Sequence, residues 1–304
     1  MAVPVRACAL IGRFSDPRVG ECVCALLPHL KARGVQVLVI EGSELPPPGL
    51  DGVVPVPEGE IGQRAGLVIA VGGDGTLLYG ARLVARHGVP LLGINRGRLG
   101  FLTDILPQDM LGAVDAALDG KLESEQRTLL RATVHAGAAS GDPARRTIEA
   151  LALNDVVLQK AATGRMLDFD VHVNGRYVNT HAGDGIVIAT ATGSTAYALS
   201  CGGPIVEPHL DVVVMAPICP HTLSDRPVVV SARSHVEVRL IERYETSAQV
   251  VCDGVVVGDL QPNDLLEVKA AEERITLLHP PGHDYYRLLR SKLQWGRGGR
   301  DLSR

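Results

Sequence analysis

Leu67-Val68-Ile69-Ala70-Val71-Gly72-Gly73-Asp74-Gly75-Thr76-Leu77-Leu78 decides how the rest of this sequence is read. Its first half is a short apolar run, the pattern of a fully buried strand. Two glycines, an aspartate and a third glycine end the run. Thr76 then opens an apolar-periodic segment predicted as a helix to about His87. Glycines let the backbone turn sharply and let a ligand approach the amides. A helix start offers unpaired N–H groups and the positive end of a dipole to an anion. Gly72, Gly73, Gly75 and Thr76 are therefore candidate phosphate-binding residues. Asp74 does not fit that role, because a carboxylate repels phosphate. It binds a metal, takes a proton from a substrate hydroxyl, or hydrogen-bonds a sugar. The competing reading is a tight βα turn with Asp74 as the helix N-cap. No Gly-Lys-Ser/Thr follows the turn, and its glycines lack the Gly-x-Gly-x-x-Gly spacing, so neither common nucleotide fingerprint applies.

The flanking sequence repeats the alternation of strand and helix. Residues 6–11 read as a strand ending at Gly12, and Ser15-Asp16-Pro17 as a helix start. Val19, Val23, Leu26, Leu27 and Leu30 recur at helical spacing, Gly34 ends that helix, and residues 35–40 form a second strand. Residues 42–62, rich in Pro, Gly and Glu, read as an exposed connection. Residues 89–94 are a further strand, ending at Asn95-Arg96-Gly97-Arg98-Leu99-Gly100, and residues 108–118 a last helix. This pattern predicts a parallel sheet with helices on its faces. Ligands of such sheets bind at the C-terminal ends of the strands, so Arg96 and Arg98 either face phosphate or are solvated loop arginines.

Near residues 121–126 the pattern changes. Short β-type runs follow at 131–135, 147–151, 155–158, 167–173, 185–189, 212–215, 228–230, 236–241, 249–252, 265–269 and 275–278, with turn signals such as Asn174-Gly175 between them. Residues 136–146 read as a hairpin tip. The expected second domain is an all-β sandwich. The tail turns helical from residue 284 and is expected to pack on the first domain. The domain reading is residues 1–125 joined by a C-terminal helix over 284–304, and residues 126–283.

Composition limits the function classes. A chain of 304 residues with 46% hydrophobic and 21% charged residues has ample material for two cores. Aromatics at 3% and a net charge of -4 speak against a nucleic-acid partner. The first apolar run is too brief for a signal segment, and no run approaches the roughly 20 apolar residues of a membrane span. A cytoplasmic protein without a membrane partner is expected. The six cysteines, at 8, 22, 24, 201, 219 and 252, are expected to be reduced and mostly buried. The sequence shows no dedicated metal cluster.

Two later stretches add chemistry. Asn154-Asp155 opens a strand. In Asp184-Gly185-Ile186-Val187-Ile188-Ala189-Thr190-Ala191-Thr192-Gly193-Ser194-Thr195-Ala196-Tyr197, an apolar strand is entered by Asp-Gly and left by a string of hydroxyls. Ser194 or Thr195 is expected to cap a short helix through Ser200. Such a helix start hydrogen-bonds a base or ribose, or is simply a well-capped turn.

Together these pieces resemble the NAD kinase family. The matching residues are Gly72-Gly73-Asp74-Gly75-Thr76, Asn154-Asp155-Val156-Val157, Asp184-Gly185, Thr192-Gly193-Ser194-Thr195-Ala196-Tyr197, Gly202-Gly203-Pro204-Ile205, Pro220-His221-Thr222-Leu223-Ser224-Asp225-Arg226-Pro227 and Cys252-Asp253-Gly254. Gly-Gly-Asp-Gly is shared with lipid and sugar-phosphate kinases; the hydroxyl-rich stretch is the specific part. Ala191 stands where the family often has Pro, and Asp155 where Glu is frequent. The resemblance implies a Rossmann-like α/β domain followed by a β-sandwich, in a homodimer or homotetramer. It implies ATP as phosphoryl donor, Mg²⁺ as cofactor and NAD as substrate. Asp74 and Gly75 would sit at the ribose hydroxyl that is phosphorylated, with Asp74 accepting its proton. Asn154 and Asp155 would hold adenine and ribose. Arg165, Ala182, Asp184, Thr192, Thr195, Ala196, Tyr197, Ala198, Leu199 and Ser200 would line the rest of the NAD site. Two rival readings are a lipid kinase, which lacks a basic amphipathic helix here, and a non-catalytic NAD-binding regulator, which has no need of Asp74.

Overall fold

The apolar runs without polar alternation become the parallel strands of the first unit. The structure, a computed structural model, describes residues 5–43, 52–97, 100–136, 146–161, 165–241 and 247–294. Its contacts divide the chain into one unit of Met1–Glu125 with Thr276–Arg304, and another of Gln126–Ile275.

In chain order the first unit holds β1 (Ala7–Gly12), α1 (Pro17–Ala32), β2 (Gln36–Ile40), β3 (Val53–Val56), α2 (Ile61–Arg64), β4 (Leu67–Gly72), α3 (Asp74–Val84), β5 (Leu91–Asn95) and α4 (Met110–Leu118). The strands pair in parallel in the order β5-β4-β1-β2-β3. The order reverses between β1 and β4, which marks the ligand crevice of a doubly wound sheet. The register sets Gly12 beside Val71 and Gly72 beside Asn95, so three strands deliver their C-terminal ends to one edge. β4 is buried along its whole length because both sheet faces are covered. Residues 42–62 are not only a connection: they contain β3 and α2. Pro55 concealed β3 in the sequence, and the sheet tolerates it because β3 is an edge strand.

The second unit is built from β6 (Glu123–Ala136), β7 (Arg146–Ala152), β8 (Asp155–Lys160), β9 (Leu167–Val173), β10 (Arg176–Gly183), β11 (Gly185–Thr190), α5 (Tyr197–Ser200), β12 (Val212–Ile218), β13 (Val228–Ser231), β14 (Val236–Leu240), β15 (Ala248–Cys252), β16 (Val255–Leu260) and β17 (Leu265–His279). One antiparallel layer runs β13-β12-β11-β8-β15-β16; the other contains β10, β9, β14 and the first part of β17, with β6 and β7 alongside. Val156, Leu158, Ile186 and Ile188 from the first layer share a buried core with Phe169, Val171, Val238 and Leu266 from the second. This is a sandwich. β10 and β16 escaped the sequence reading because their outer residues are polar or lie on exposed edges. Residues 137–145, most of the expected hairpin tip, lie outside the described residues.

From Thr276 onward β17 belongs to the first unit, where Leu277 and Leu278 pair with β5. The tail helix α6 (Tyr285–Leu293) also belongs to that unit and is capped by Asp284, whose carboxylate accepts from the amides of Tyr286 and Arg287. It ends at Gln294, which has the left-handed φ of 55°; residues 295–304 of the expected C-terminal helix lie outside the described residues. No described helix is long and apolar enough to cross a membrane. All six cysteines are free thiols, but only Cys8, Cys22 and Cys252 are buried; Cys24 and Cys219 are exposed.

Candidate active site

α3 begins at Asp74 itself, with the extended Gly73 as its cap residue. The N-cap reading of Asp74 is therefore corrected. Its side chain leaves the helix and accepts from a segment further along the chain. Oδ2 accepts from Phe101 N at 2.8 Å, and Oδ1 from Leu102 N at 3.1 Å, Thr103 N at 3.1 Å and Thr103 Oγ1 at 3.0 Å. That segment is itself fixed. Asn95 Nδ2 donates to Thr103 Oγ1 at 2.8 Å, and Asn95 N to Ile105 O at 2.8 Å. Gly100 is required by close approach: a Cβ there would collide with the Asp74 carboxylate and Thr103 Oγ1. Backbone amides thus orient one carboxylate and leave Oδ2 the less occupied oxygen among the described contacts.

A cavity of about 450 Å³ opens beside it, lined by Arg18, Gly73, Asp74, Asn95, Arg96, Gly97, Gly100 and Lys292. Three cations and a single carboxylate make this lining suited to a phosphorylated ligand. Arg96 is not simply solvated; it pairs with Asp16 at 2.6 Å, and Arg18 pairs with the same carboxylate at 3.4 Å. Hydrogen bonding to Arg18, and then the charges of Arg18 and Arg96, hold the Asp16 carboxyl below its usual range. Arg98 lies outside the described residues. Gly75 and Thr76 line a second cavity, of about 440 Å³, together with Gly12, Arg13, Glu41 and Tyr79. The Gly-Gly-Asp-Gly-Thr turn therefore presents different residues to two spaces. Gly72, buried at the end of β4, lines neither of them.

In the second unit, the residues around Asn154 and Tyr197 meet. Asp253 gathers them: its carboxylate accepts from Leu153 N at 2.7 Å, Asn154 N at 2.8 Å and Asp155 N at 3.1 Å. Asp253 and Gly254 form the two-residue turn between β15 and β16 with φ of 47° and 80°, the left-handed pair such hairpins demand. Gly193 packs so closely on the Asn154 carbonyl that a Cβ would collide with it. Thr190 Oγ1 donates to Leu153 O at 2.6 Å and accepts from Gly193 N at 3.0 Å. The buried Arg127 donates to Thr192 Oγ1 at 3.2 Å. The Asn154 side-chain oxygen is buried with no hydrogen-bond partner among the described residues.

Asp155 is buried and accepts the Tyr197 backbone N–H. Burial, and then the neighbouring Asp253 charge, push its carboxyl up to about 7. Neither Ser194 nor Thr195 caps α5, whose cap residue is Ala196. Ser194 Oγ instead donates to Ala191 O at 2.7 Å and accepts from Val206 N at 2.9 Å, a wholly internal bridge. Thr195 Oγ1 turns back to Thr192 O at 3.3 Å. Ala198 is buried, Tyr197 is exposed, and Leu199 and Ser200 continue the one-turn helix. Asp184 is paired with Lys160 at 2.6 Å. The Ala182 carbonyl accepts from His221 N at 2.8 Å, and Arg165 is exposed.

The sequence reading missed the amides of Phe101–Thr103 and the organising role of Asp253. Nothing marks the first, since any residue supplies an amide. The second was visible as Asp-Gly between two valine-rich runs, the strongest short hairpin signal.

Comparison with known proteins agrees with both halves of this picture. The family model described as the ATP-NAD kinase N-terminal domain matches residues 54–122, and that of the ATP-NAD kinase C-terminal domain residues 153–279. A protein named NAD kinase from Chromohalobacter salexigens is 43% identical over 297 residues, 96% of this chain and 97% of its own. Another from Thiobacillus denitrificans is 42% identical over 301 residues, 98% of this chain and 99% of its own. Among solved structures, an NAD kinase from Archaeoglobus fulgidus in complex with ATP is similar with a TM-score of 0.73 at 26% identity, over 95% of this chain and 98% of that one. Yeast NADH kinase complexed with NADH shares the fold, with a TM-score of 0.87 at 24% identity over 99% of this chain and 91% of that one. On these matches the chain belongs to the ATP-NAD kinase family.

Proposed function

We infer that this chain phosphorylates the 2′-hydroxyl of the adenosine ribose of NAD with ATP, giving NADP. The observation that carries the reading is the Asp74 carboxylate, held by three amides and a hydroxyl at the edge of a cation-lined cavity. A phosphate cradle needs no carboxylate, whereas phosphoryl transfer to an alcohol needs a group to receive the hydroxyl proton. Asp74 Oδ2 takes that proton as the ribose oxygen bonds to the γ-phosphorus. The bond from phosphorus to the β,γ-bridging oxygen breaks and ADP leaves. Gly73 presents its amide side of the turn to phosphate; in the second cavity Gly75 does so with its amide and Thr76 with its hydroxyl, since the Thr76 N–H is bonded to Gly73 O. Asn154 Oδ1 accepts from adenine, Asp155 and Thr192 position the ribose, and residues 195–200 with Ala182, Asp184 and Arg165 border the remaining dinucleotide.

Mg²⁺ fits as an ion carried by the triphosphate. Asp74 is the one carboxylate lining the cavity, and four protein donors already occupy it. The ion would be held by the phosphate oxygens of the nucleotide with the Asp74 carboxylate beside it, leaving Oδ2 to take the proton, and would neutralise charge on the transferring group. A homo-oligomer is supported by exposed Val228 and Val229 on the edge strand β13 and Val255 and Val256 on the edge strand β16, since apolar edges need cover. Fully active monomers in light scattering would refute that assembly. A reducing, cytoplasmic setting suits the six free thiols.

The test is Asp74→Asn. Its amide group would face the Phe101 N–H, donor against donor, so a stability loss of about 1–3 kcal/mol is expected. Loss of the proton acceptor should lower kcat by about 10²–10⁴ in a folded chain that still binds ATP. A folded variant with kcat within about threefold of wild type would overturn the base role. Lipid phosphorylation without NADP formation by the wild type would overturn the substrate.

A further inference from the structure

Elsewhere in the first unit, two histidine rings converge on one carboxylate oxygen. Asp104 Oδ2 lies 2.9 Å from His279 Nδ1 and 2.7 Å from His283 Nδ1. The local sequence builds this. His279 ends β17, and Pro280-Pro281-Gly282-His283 is a turn closed by His283 N to Pro280 O at 3.2 Å. Proline sits at its second position and Gly282, with φ of 79°, at its third, the placement a type II turn prefers. The turn folds His283 back on His279, so the two rings stack 4.0 Å apart. Asp104 comes from the loop before α4.

The donor set is that of a transition-metal site. Two imidazoles spaced His-x₃-His and one carboxylate place their ligand atoms within 4.8 Å of one another. The side chains of His279, Asp104 and His283 are 3%, 9% and 14% exposed, so water does not satisfy them freely. Asp104 Oδ1 is buried with no hydrogen-bond partner among the described residues. The other nitrogen of His279, Nε2, lies 3.3 Å from Glu125 Oε2. Each ring nitrogen of His279 thus faces a carboxylate, while a neutral imidazole carries one N–H. A cation bound at Nδ1 leaves that N–H on Nε2, toward Glu125, and takes the Asp104 carboxylate as its second ligand. A carboxylate behind a metal-bound histidine is the usual support of such a ligand. A cavity of about 160 Å³, lined by Asp104, Gly282, His283, Arg287 and Ser291 among others, reaches Asp104 and His283 and provides an entry path.

We propose that Asp104, His279 and His283 bind a divalent transition-metal ion of the zinc class, with Glu125 orienting His279. The site is separate from the cavity beside Asp74. It fastens the loop whose preceding residues, Phe101–Thr103, hold the Asp74 carboxylate, and it ties the start of α6 to that loop.

The experiment uses the full chain, stripped with chelator, loaded with Zn²⁺, desalted and assayed for retained metal. Wild type should keep about one equivalent and gain a higher thermal transition on loading. His283→Gln, at the most exposed of the three positions, should fold by circular dichroism, keep less than about a tenth of an equivalent and lose the thermal gain; Glu125→Gln should bind about 10–100-fold more weakly. Loading with Co²⁺ keeps the test decisive should a variant unfold: nitrogen and oxygen ligation gives visible bands without a thiolate charge-transfer band. Wild type that retains no zinc, a His283→Gln variant that retains as much as wild type, or a thiolate band in the cobalt form would each overturn the proposal.

Discussion

Replacing Asp155 by Asn separates the cost of burying this carboxyl from its use. Asp155 is 6% exposed, and burial followed by the Asp253 charge moves it from 3.8 to about 7. That displacement corresponds to about 4 kcal/mol in favour of the protonated form. Below about pH 4 the carboxyl is protonated in the folded and unfolded chain alike and contributes no pH dependence. Between about pH 4 and pH 7 the unfolded chain releases the proton and the folded chain keeps it, so stability falls as pH rises. Above about pH 7 both forms are ionised and the full penalty remains. Asparagine carries no charge, and its Oδ1 still accepts the Tyr197 amide. The variant's advantage over wild type should therefore grow by about 2–3 kcal/mol from about pH 5 to about pH 8, part of the penalty being present already at the lower value. Scanning calorimetry of ligand-free protein measures this. The second unit is of a size in which each kcal/mol moves the transition by about 2–4 °C, so the gap in Tm should widen by about 4–12 °C across that range. A gap that stays constant to within about 1 °C would refute the argument that burial beside Asp253 governs Asp155.

Two further substitutions test the geometry on either side of the reaction. Gly100→Ala puts a methyl group where the Asp74 carboxylate and Thr103 Oγ1 lie; it should lower stability by about 1–3 kcal/mol and kcat at least about tenfold, and a kcat within about twofold of wild type would show that Asp74 need not stay where these amides hold it. Asn154→Ala removes a buried oxygen that has no partner among the described residues, so Tm should not fall, while KM for NAD rises by about 5–100-fold with kcat little changed; an unchanged KM would remove Asn154 from the substrate site.

The legible parts of this molecule were those that local pattern dictates. β4, α3 and β5 follow from apolar runs and glycine punctuation, and the many short runs after residue 126 follow from alternation. Asp74 stood out because its charge contradicted the glycine turn around it. Its structural partners were not legible, since they are backbone amides of residues 101–103, almost 30 positions along the chain. The same holds in the second unit, where Asp253 collects three amides about 100 positions away. An amide has no residue identity, so composition and spacing carry no trace of it. The His279 and His283 pair was in plain view as His-x₃-His, but Asp104 lies 175 positions earlier, and only the parallel pairing of β17 with β5 brings the two regions to one place. This division has a physical root. Positions that must turn or be buried restrict which residue stands there, whereas a carboxylate that organises a loop restricts only itself. Asp74 is therefore readable as a charge out of place and Asp253 as a hairpin residue, and what each holds in position becomes readable only from the fold.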